Sequence, residues 1–511
     1  MRRAAQSCYF SIFVILFVAM FSILFVPVVY AGPPWEEVEK ILEPNGQEFH
    51  QFGDAVALSG NLAVVGMIDD DEKGMDAGAA YVFDIDTGEM VYKLFGSDEV
   101  DRDLFGMSVG IDGRLAVVGS LFSDGRFFNS GSAYVFDMKT GSQLFKLFAP
   151  DGAENDNFGN SVAISGNLVV VGAPADDDHG DSSGSAYVFD LATGQSIFKL
   201  VASDAAAGDG FGGAVAIDGN LAVIGSIFSD GMMEDSGAVY VFDMTTGDQI
   251  QKLVASDGST NDFFGISVSI RGDRVVAGAE FDGDLGSDSG SAYVFDALTG
   301  EQLFKLHASD GSDTDFFGQS VSLSGHHALI GAGGADGGVV GSGAAYVFDI
   351  TTGEEESKIF SDDGSLFDHF GSSVALAGGT AVIGALGDDD NGDGSGSVYV
   401  FEPRMTNLLT VEPEPLVSGE NGIFTLIRAN PNEMSWLLYS VDGLGSTFIK
   451  PLNVTVDLTN PKIAFGPGLT DHHGNLRVVG LIPDVVSPLH IWFQAVQDGN
   501  VTNYVATEIV P

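Results

Sequence analysis

The residues best suited to chemistry are acids gathered in short runs. "DDDNGDG" from Asp388 sets Asp389, Asn391 and Asp393 at alternate positions ahead of Gly394. Oxygen-bearing side chains spaced this way on a glycine-bent loop suit a hard cation such as calcium, which takes six or more oxygen ligands. "DDDHGD" from Asp176 offers Asp177 and Asp181 with His179 between them, a poorer set because imidazole suits calcium badly. "DGDLGSD" offers Asp282 and Asp284, and "DDDEKGMD" offers Asp69 and Asp71. Calcium is the one cofactor these runs point to. The alternative is that they are solvated loops keeping an acidic protein soluble.

A second group is apolar. Phe127-Phe128 and Met232-Met233 interrupt otherwise polar loops, with a milder version at Val339-Val340. Exposed apolar clusters mark contact sites, so these four Phe and Met residues are candidate partner-binding positions. "GDSSG" (180–184) matches the Gly-x-Ser-x-Gly pattern of hydrolases, but that pattern needs a strand-to-helix elbow and this copy lies between strands. Arg271-Gly272-Asp273 stands where parallel stretches read "SGN" or "DGN", and is read as a turn.

What must position these groups is a repeat. "FG" pairs begin at Phe52, Phe105, Phe158, Phe211, Phe264, Phe317 and Phe370, each 53 residues from the last. A valine follows four positions on (Val56 through Val374) and a tyrosine twenty-nine positions on (Tyr81 through Tyr399). Each copy reads as four short strands. "SVAIS" and "LVVVGA" are joined by a two-residue turn, followed by "SAYVFD", a Thr-Gly turn and an outer strand such as "SIFKL". Seven such copies predict an all-β chain whose residues 35–403 form a seven-bladed β-propeller. The seventh copy lacks its fourth strand. "KILEPNGQEFHQFG" from Lys40 aligns with "KLFAPDGAENDNFG" from Lys146, so the N-terminal strand is expected to close the ring.

These motifs, "FG…VVVGAP…GSAYVF", resemble the FG-GAP repeat of the integrin α-subunit propeller, and more closely secreted bacterial FG-GAP proteins. The resemblance implies a propeller and says little about function. Calcium-binding members of that family carry an Asp-rich loop between FG and GAP. Here that connection is a short turn at Ser165 or Asp218, so no metal residue carries over.

In an up-and-down blade alternate connections emerge on one side. The long, variable loops between strands 2 and 3 and between consecutive blades therefore share a face, opposite the tight turns, and that face is the candidate functional surface. The acid-rich loops belong to copies 1, 3, 5 and 7, and the apolar pairs to even copies. A lysine recurs once per outer strand (Lys40 through Lys358) and is read as a guard against edge-to-edge aggregation.

The chain opens with two arginines, an apolar run from Cys8 to Tyr30 and a small-residue site at Ala31, the layout of a signal peptide over residues 1–31. An uncleaved anchor is the alternative, and the only route to a membrane. Either predicts a secreted or cell-surface protein. Cys8 is the only cysteine, so the exported part has no disulfide. The formal charge of −51 excludes nucleic acid as a partner. Beyond Pro403 the period stops, and alternating segments over 407–511 predict a small β-sandwich. The reading is a monomeric, non-catalytic binding or adhesion module for an extracellular protein or glycan. Alternatives are a lectin with sugar pockets between blades, and an enzyme with carboxylates in the central funnel.

Overall fold

A computed structural model describes residues 35–44 and 48–403, together with the backbone of strands between 408 and 510. The expectations for residues 1–31 lie outside the described residues. Residues 35–403 form seven four-stranded antiparallel sheets and, among the described residues, no helix. This is the seven-bladed propeller the period predicts.

Blade 3 shows why the sequence folds this way. Val162–Ser165, Leu168–Ala173, Ser185–Asp190 and Gln195–Leu200 pair in order. The two middle strands are covered on both faces by neighbouring blades, so they read as nearly unbroken apolar runs. Each core joins two blades: Val117 and Val135 of blade 2 pack with Phe158, Val171 and Tyr187 of blade 3. Only the outer strand alternates exposed and covered residues.

The repeated dipeptides are joints between blades. Phe158 is fully buried, edge-on to Tyr187 (5.6 Å) and Phe189 (5.9 Å). Gly159 holds φ +93°, and a Cβ there would strike the Ser132 carbonyl of blade 2. Gly172 of the "GAP" stretch meets the carbonyl of Gly212, the "FG" glycine of blade 4. FG therefore docks backward round the ring and GAP docks forward.

The ring closes through the N-terminal strand. Trp35–Leu42 pairs antiparallel with Ser397–Pro403, setting Lys40 opposite Tyr399 as Lys199 stands opposite Tyr187 in blade 3. The C-terminal strands form three-, five- and two-stranded sheets. Their all-β character is as expected, while the packing of a sandwich lies outside what is described.

Candidate functional site

The variable loops do share one face, and they are stitched together. Arg102 N donates to Met75 O (2.7 Å) and Phe105 N to Ala77 O (2.9 Å), tying the 2–3 loop of blade 1 to the loop that enters blade 2. On the opposite face two-residue turns are linked from blade to blade. Gly166 N donates to Asp112 Oδ2 (2.6 Å) and Gly272 N to Asp218 Oδ2 (2.7 Å). Arg271 lies in this ring of turns, its guanidinium 3.3 Å from Asp218.

The repeated lysine belongs to the loop face, which corrects its reading as an edge guard. In blade 3, Lys199 Nζ lies 3.0 Å from Asp151, 2.9 Å from Asp176 and within ion-pair distance of Asp178. Tyr187 OH reaches Asp151 Oδ1 (2.8 Å) and Asp176 Oδ2 (2.7 Å), and Nζ sits 5.2 Å over the tyrosine ring. Blade 5 repeats this with Lys305, Asp257, Asp282 and Asp284, and blade 7 with Lys40, Asp363, Asp388 and Asp390. In blade 1, Lys93 takes Asp70 and Glu72. The deep aspartates Asp70, Asp176, Asp282 and Asp388 are only 2–3 % exposed. Such a carboxylate is tolerated only with a charged or hydrogen-bonding partner.

Even blades solve the same place differently. Ser123, Ser229 and Ala335 stand where odd blades have the deep aspartate. The lysine then holds one carboxylate and one backbone carbonyl: Lys252 reaches Asp204 (2.7 Å) and the oxygen of Asp230 (2.8 Å). Burial opposes the charge on Lys199, and hydrogen bonds to Asp178, Asp176 and Asp151 outweigh it, so its pKa is raised. Burial likewise works against ionised Asp151, yet Lys199 and Tyr187 bring its pKa below the ordinary carboxylate value.

The candidate calcium ligands either have other partners or face solvent. Asp282 and Asp284 are held by Lys305. Asp69 accepts from Gln51 (2.8 Å), and Asp71 Oδ1 from the amide of Asp76 (2.9 Å). Asp389 Oδ1 caps Gly394 N (2.7 Å), Asn391 turns its amide to the carbonyl of Glu43, and the carbonyl of Asp393 accepts Phe49 N. Asp177 and Asp181 are exposed, with carbonyls engaged by Gly180 and Gly208. Among the described residues no three His, Cys, Asp or Glu side chains are arranged to hold a metal ion.

The apolar pairs stand out from the disc: Phe127 is 48 % and Phe128 63 % exposed, Met232 54 % and Met233 56 %. Sequence reasoning missed an aromatic ladder on the same face. Phe228, Phe263, Phe281 and Phe316 meet edge-to-face at 5.1, 5.1 and 5.8 Å across blades 4 to 6. The signal was available: Phe263 and Phe316 directly precede the FG phenylalanine, where other copies have Gln51, Leu104, Asn157, Gly210 or His369. Between the inner strands the central channel is lined by small and apolar side chains such as Val56, Ile111, Ile164, Ile217 and Leu376, with Ser269 and Ser322, and no acid stands among these described lining residues.

A family model described as FG-GAP repeat matches residues 35–83, 89–136, 142–189, 196–242, 248–295, 301–348 and 354–401. Each match starts at the outer strand of one blade and ends in the third strand of the next, so the repeat unit spans the blade joint. No curated protein matches the chain. With seven matches that cover well over half of its length, the chain belongs to the FG-GAP repeat family.

Proposed function

We propose that the protein is an exported, non-catalytic binding module that meets an extracellular protein or glycan through its loop face. The observation that carries this reading is the set of exposed apolar tips at Phe127, Phe128, Met232 and Met233 on that face, opposite a face of tight turns. Apolar side chains held in water by a rigid scaffold favour contact with a partner. Calcium in the odd loops would draw on the solvent-facing Asp177, Asp181, Asp389 and Asp393, and at Asp282 and Asp284 it would have to displace an ammonium group. Melting with calcium and with chelator tests that part.

One observation favours the lectin alternative. Between blades 1 and 2 a cavity of about 520 Å³ combines Phe95 with Ser97 and Gln143, an aromatic surface beside polar groups. The test for both readings is binding of the full chain to a glycan array and to immobilised cell-surface protein. The variants are Phe127→Ser with Phe128→Ser, Met232→Ser with Met233→Ser, Phe95→Ala, and a turn-face control, Asn167→Ala. The contact reading expects loss with the tip variants alone. Equal loss with the turn-face control would overturn it, and loss with Phe95→Ala alone would move the site to the cleft.

A further inference from the structure

One module departs from its copies in a way that opens space. The loop entering blade 4 reads Ala206-Ala207-Gly208, where other modules carry Val100-Asp101-Arg102, Ala153-Glu154-Asn155, Ser259-Thr260-Asn261 or Ser365-Leu366-Phe367. Gly210 stands two places on, where blades 2, 5 and 6 have Leu104, Phe263 and Phe316. These small residues leave a cavity of about 570 Å³ floored by Phe228, within the range typical of small-molecule sites. A Cβ on Gly210 would lie 3.7 Å from Cδ2 of Phe228, so the missing side chain is what uncovers the ring. Phe263 braces Phe228 from the far side at 5.1 Å.

The walls are acidic: Asp209, Asp230, Glu234 and Asp235, with no lysine or arginine among the lining residues. Two are fixed by their own loops. Asp209, 8 % exposed, accepts the amide of Ala206 (2.8 Å), and Asp230 Oδ1 accepts the amide of Asp235 (3.2 Å). The nearby cation is already engaged, since Lys252 is bound to Asp204 and to the carbonyl of Asp230. The carboxylates are spread round an aromatic floor, and among the described residues no three converge as a metal ion requires.

We propose that this cavity binds a linear organic polycation, a di- or triamine whose methylenes lie on Phe228 and whose ammonium groups meet the acidic wall. An aromatic face attracts alkylammonium groups through its quadrupole while covering their apolar spacers. The cavity shares the 230–235 loop with the tip residues Met232 and Met233, but its ligand contacts are Phe228 and the carboxylates, so the proposal does not rest on the binding reading.

The test is calorimetric titration of the full chain with spermidine at physiological salt, with magnesium chloride and n-butylamine as charge controls. Spermidine is expected to bind at one site, with n-butylamine and magnesium each at least about tenfold weaker. Gly210→Leu should fold, because Leu104 occupies the matching place at φ 53° against 65° for Gly210. It is expected to weaken spermidine about tenfold or more, as is Phe228→Ala, with Glu234→Gln costing about threefold. Phe122→Ala in blade 2 should change nothing. Absence of heat, magnesium binding as tight as spermidine, or unchanged affinity in Gly210→Leu would each overturn the proposal. The last two would mark the heat as diffuse attraction to an acidic protein.

Discussion

Blades 3 and 4 have the same strands, turns and lysine, and differ in what that lysine holds. In blade 3 Lys199 binds three carboxylates, one of them deeply buried; in blade 4 Lys252 binds one carboxylate and a carbonyl. A buried aspartate must be neutralised, so odd loops carry acids at fixed places around the ammonium. Even loops are anchored through backbone, and their tips are free to be apolar. The acid runs that suggest calcium are thus in part the counter-charges of an internal cation, and the departures between copies lie in what the anchoring leaves over.

The contrast is broken most severely at blade 7, an odd blade whose lysine comes from the other end of the chain. Deleting residues 35–44 removes the outer strand and leaves Asp363, Asp388 and Asp390 without Lys40. The expected cost is on the order of 5 kcal/mol or more, seen as loss of cooperative melting by circular dichroism. A deletion variant that melts like the parent would show that the ring needs no closure by this strand.

Within the ring, Lys199→Met and Lys252→Met compare the two anchors directly. Removing one partner of a buried pair leaves an uncompensated charge, worth about 3–5 kcal/mol when fully buried. Lys199 and its outer acids are partly in water, so about 2–3 kcal/mol is expected in chemical denaturation. Lys252→Met should cost about 1 kcal/mol, since it loses one exposed carboxylate and one carbonyl contact. In the parent, Lys199 depresses the pKa of Asp151, and that stability is present above the unfolded carboxylate pKa and lost as pH falls through the folded value. In Lys199→Met that pH-dependent contribution is gone, so the deficit relative to the parent should shrink toward pH 4. Equal losses for both lysines, flat with pH, would erase the distinction between odd and even blades.

The strands, the period, the closure by Lys40 and the shared loop face were all legible because they rest on local alternation and on copies aligning with themselves. The role of the lysine was hidden: Lys199 meets Asp151 forty-eight residues away, across the blade, and a strand pattern carries no information about that approach. The Phe228–Phe316 ladder was masked by the strength of the FG repeat beside it. The acid loops read equally as calcium ligands or as solvated loops, because spacing alone does not distinguish a carboxylate facing water from one facing an ammonium group.

Blade 2 is an even blade that has acquired a buried acid by another route. Glu99 stands where blades 3, 5, 6 and 7 have Gly152, Gly258, Gly311 and Gly364, and three residues earlier Gly96 replaces an alanine such as Ala149. A Cβ on Gly96 would collide with Oε1 of Glu99, so the carboxyl fills the place of the lost methyl. Burial raises the Glu99 pKa to about 9, with Asp103 and Asp98 adding to it and the Gly96 amide opposing. The unfolded chain releases this proton from about pH 4.5 upward while the fold retains it, so the destabilisation grows with pH up to about 9. Glu99→Gly with Gly96→Ala restores the common pair, and should gain about 2 kcal/mol at pH 7 and little near pH 4. A gain independent of pH would place the cost in packing rather than charge.

The smallest effect is expected from converting an even anchor to an odd one, Ser229→Asp with Gly231→Asp in blade 4. The new pair would sit where Asp176 and Asp178 sit in blade 3, within reach of Lys252 and Tyr240. Burying a carboxylate costs several kcal/mol, and one ammonium shared with Asp204 and a tyrosine hydroxyl offsets most of it. Three odd blades hold this arrangement on the same backbone, so the net change at pH 7 should stay within about 1 kcal/mol. Below pH 4 the variant should lose stability faster than the parent, because the added carboxylates are stabilised only while ionised. Denaturant midpoints at pH 7 and pH 3.5 measure both terms. A loss above about 3 kcal/mol at pH 7 would mean that the loop backbone, not the buried side chain, sets the alternation, since only a misplaced ammonium leaves that much desolvation uncompensated.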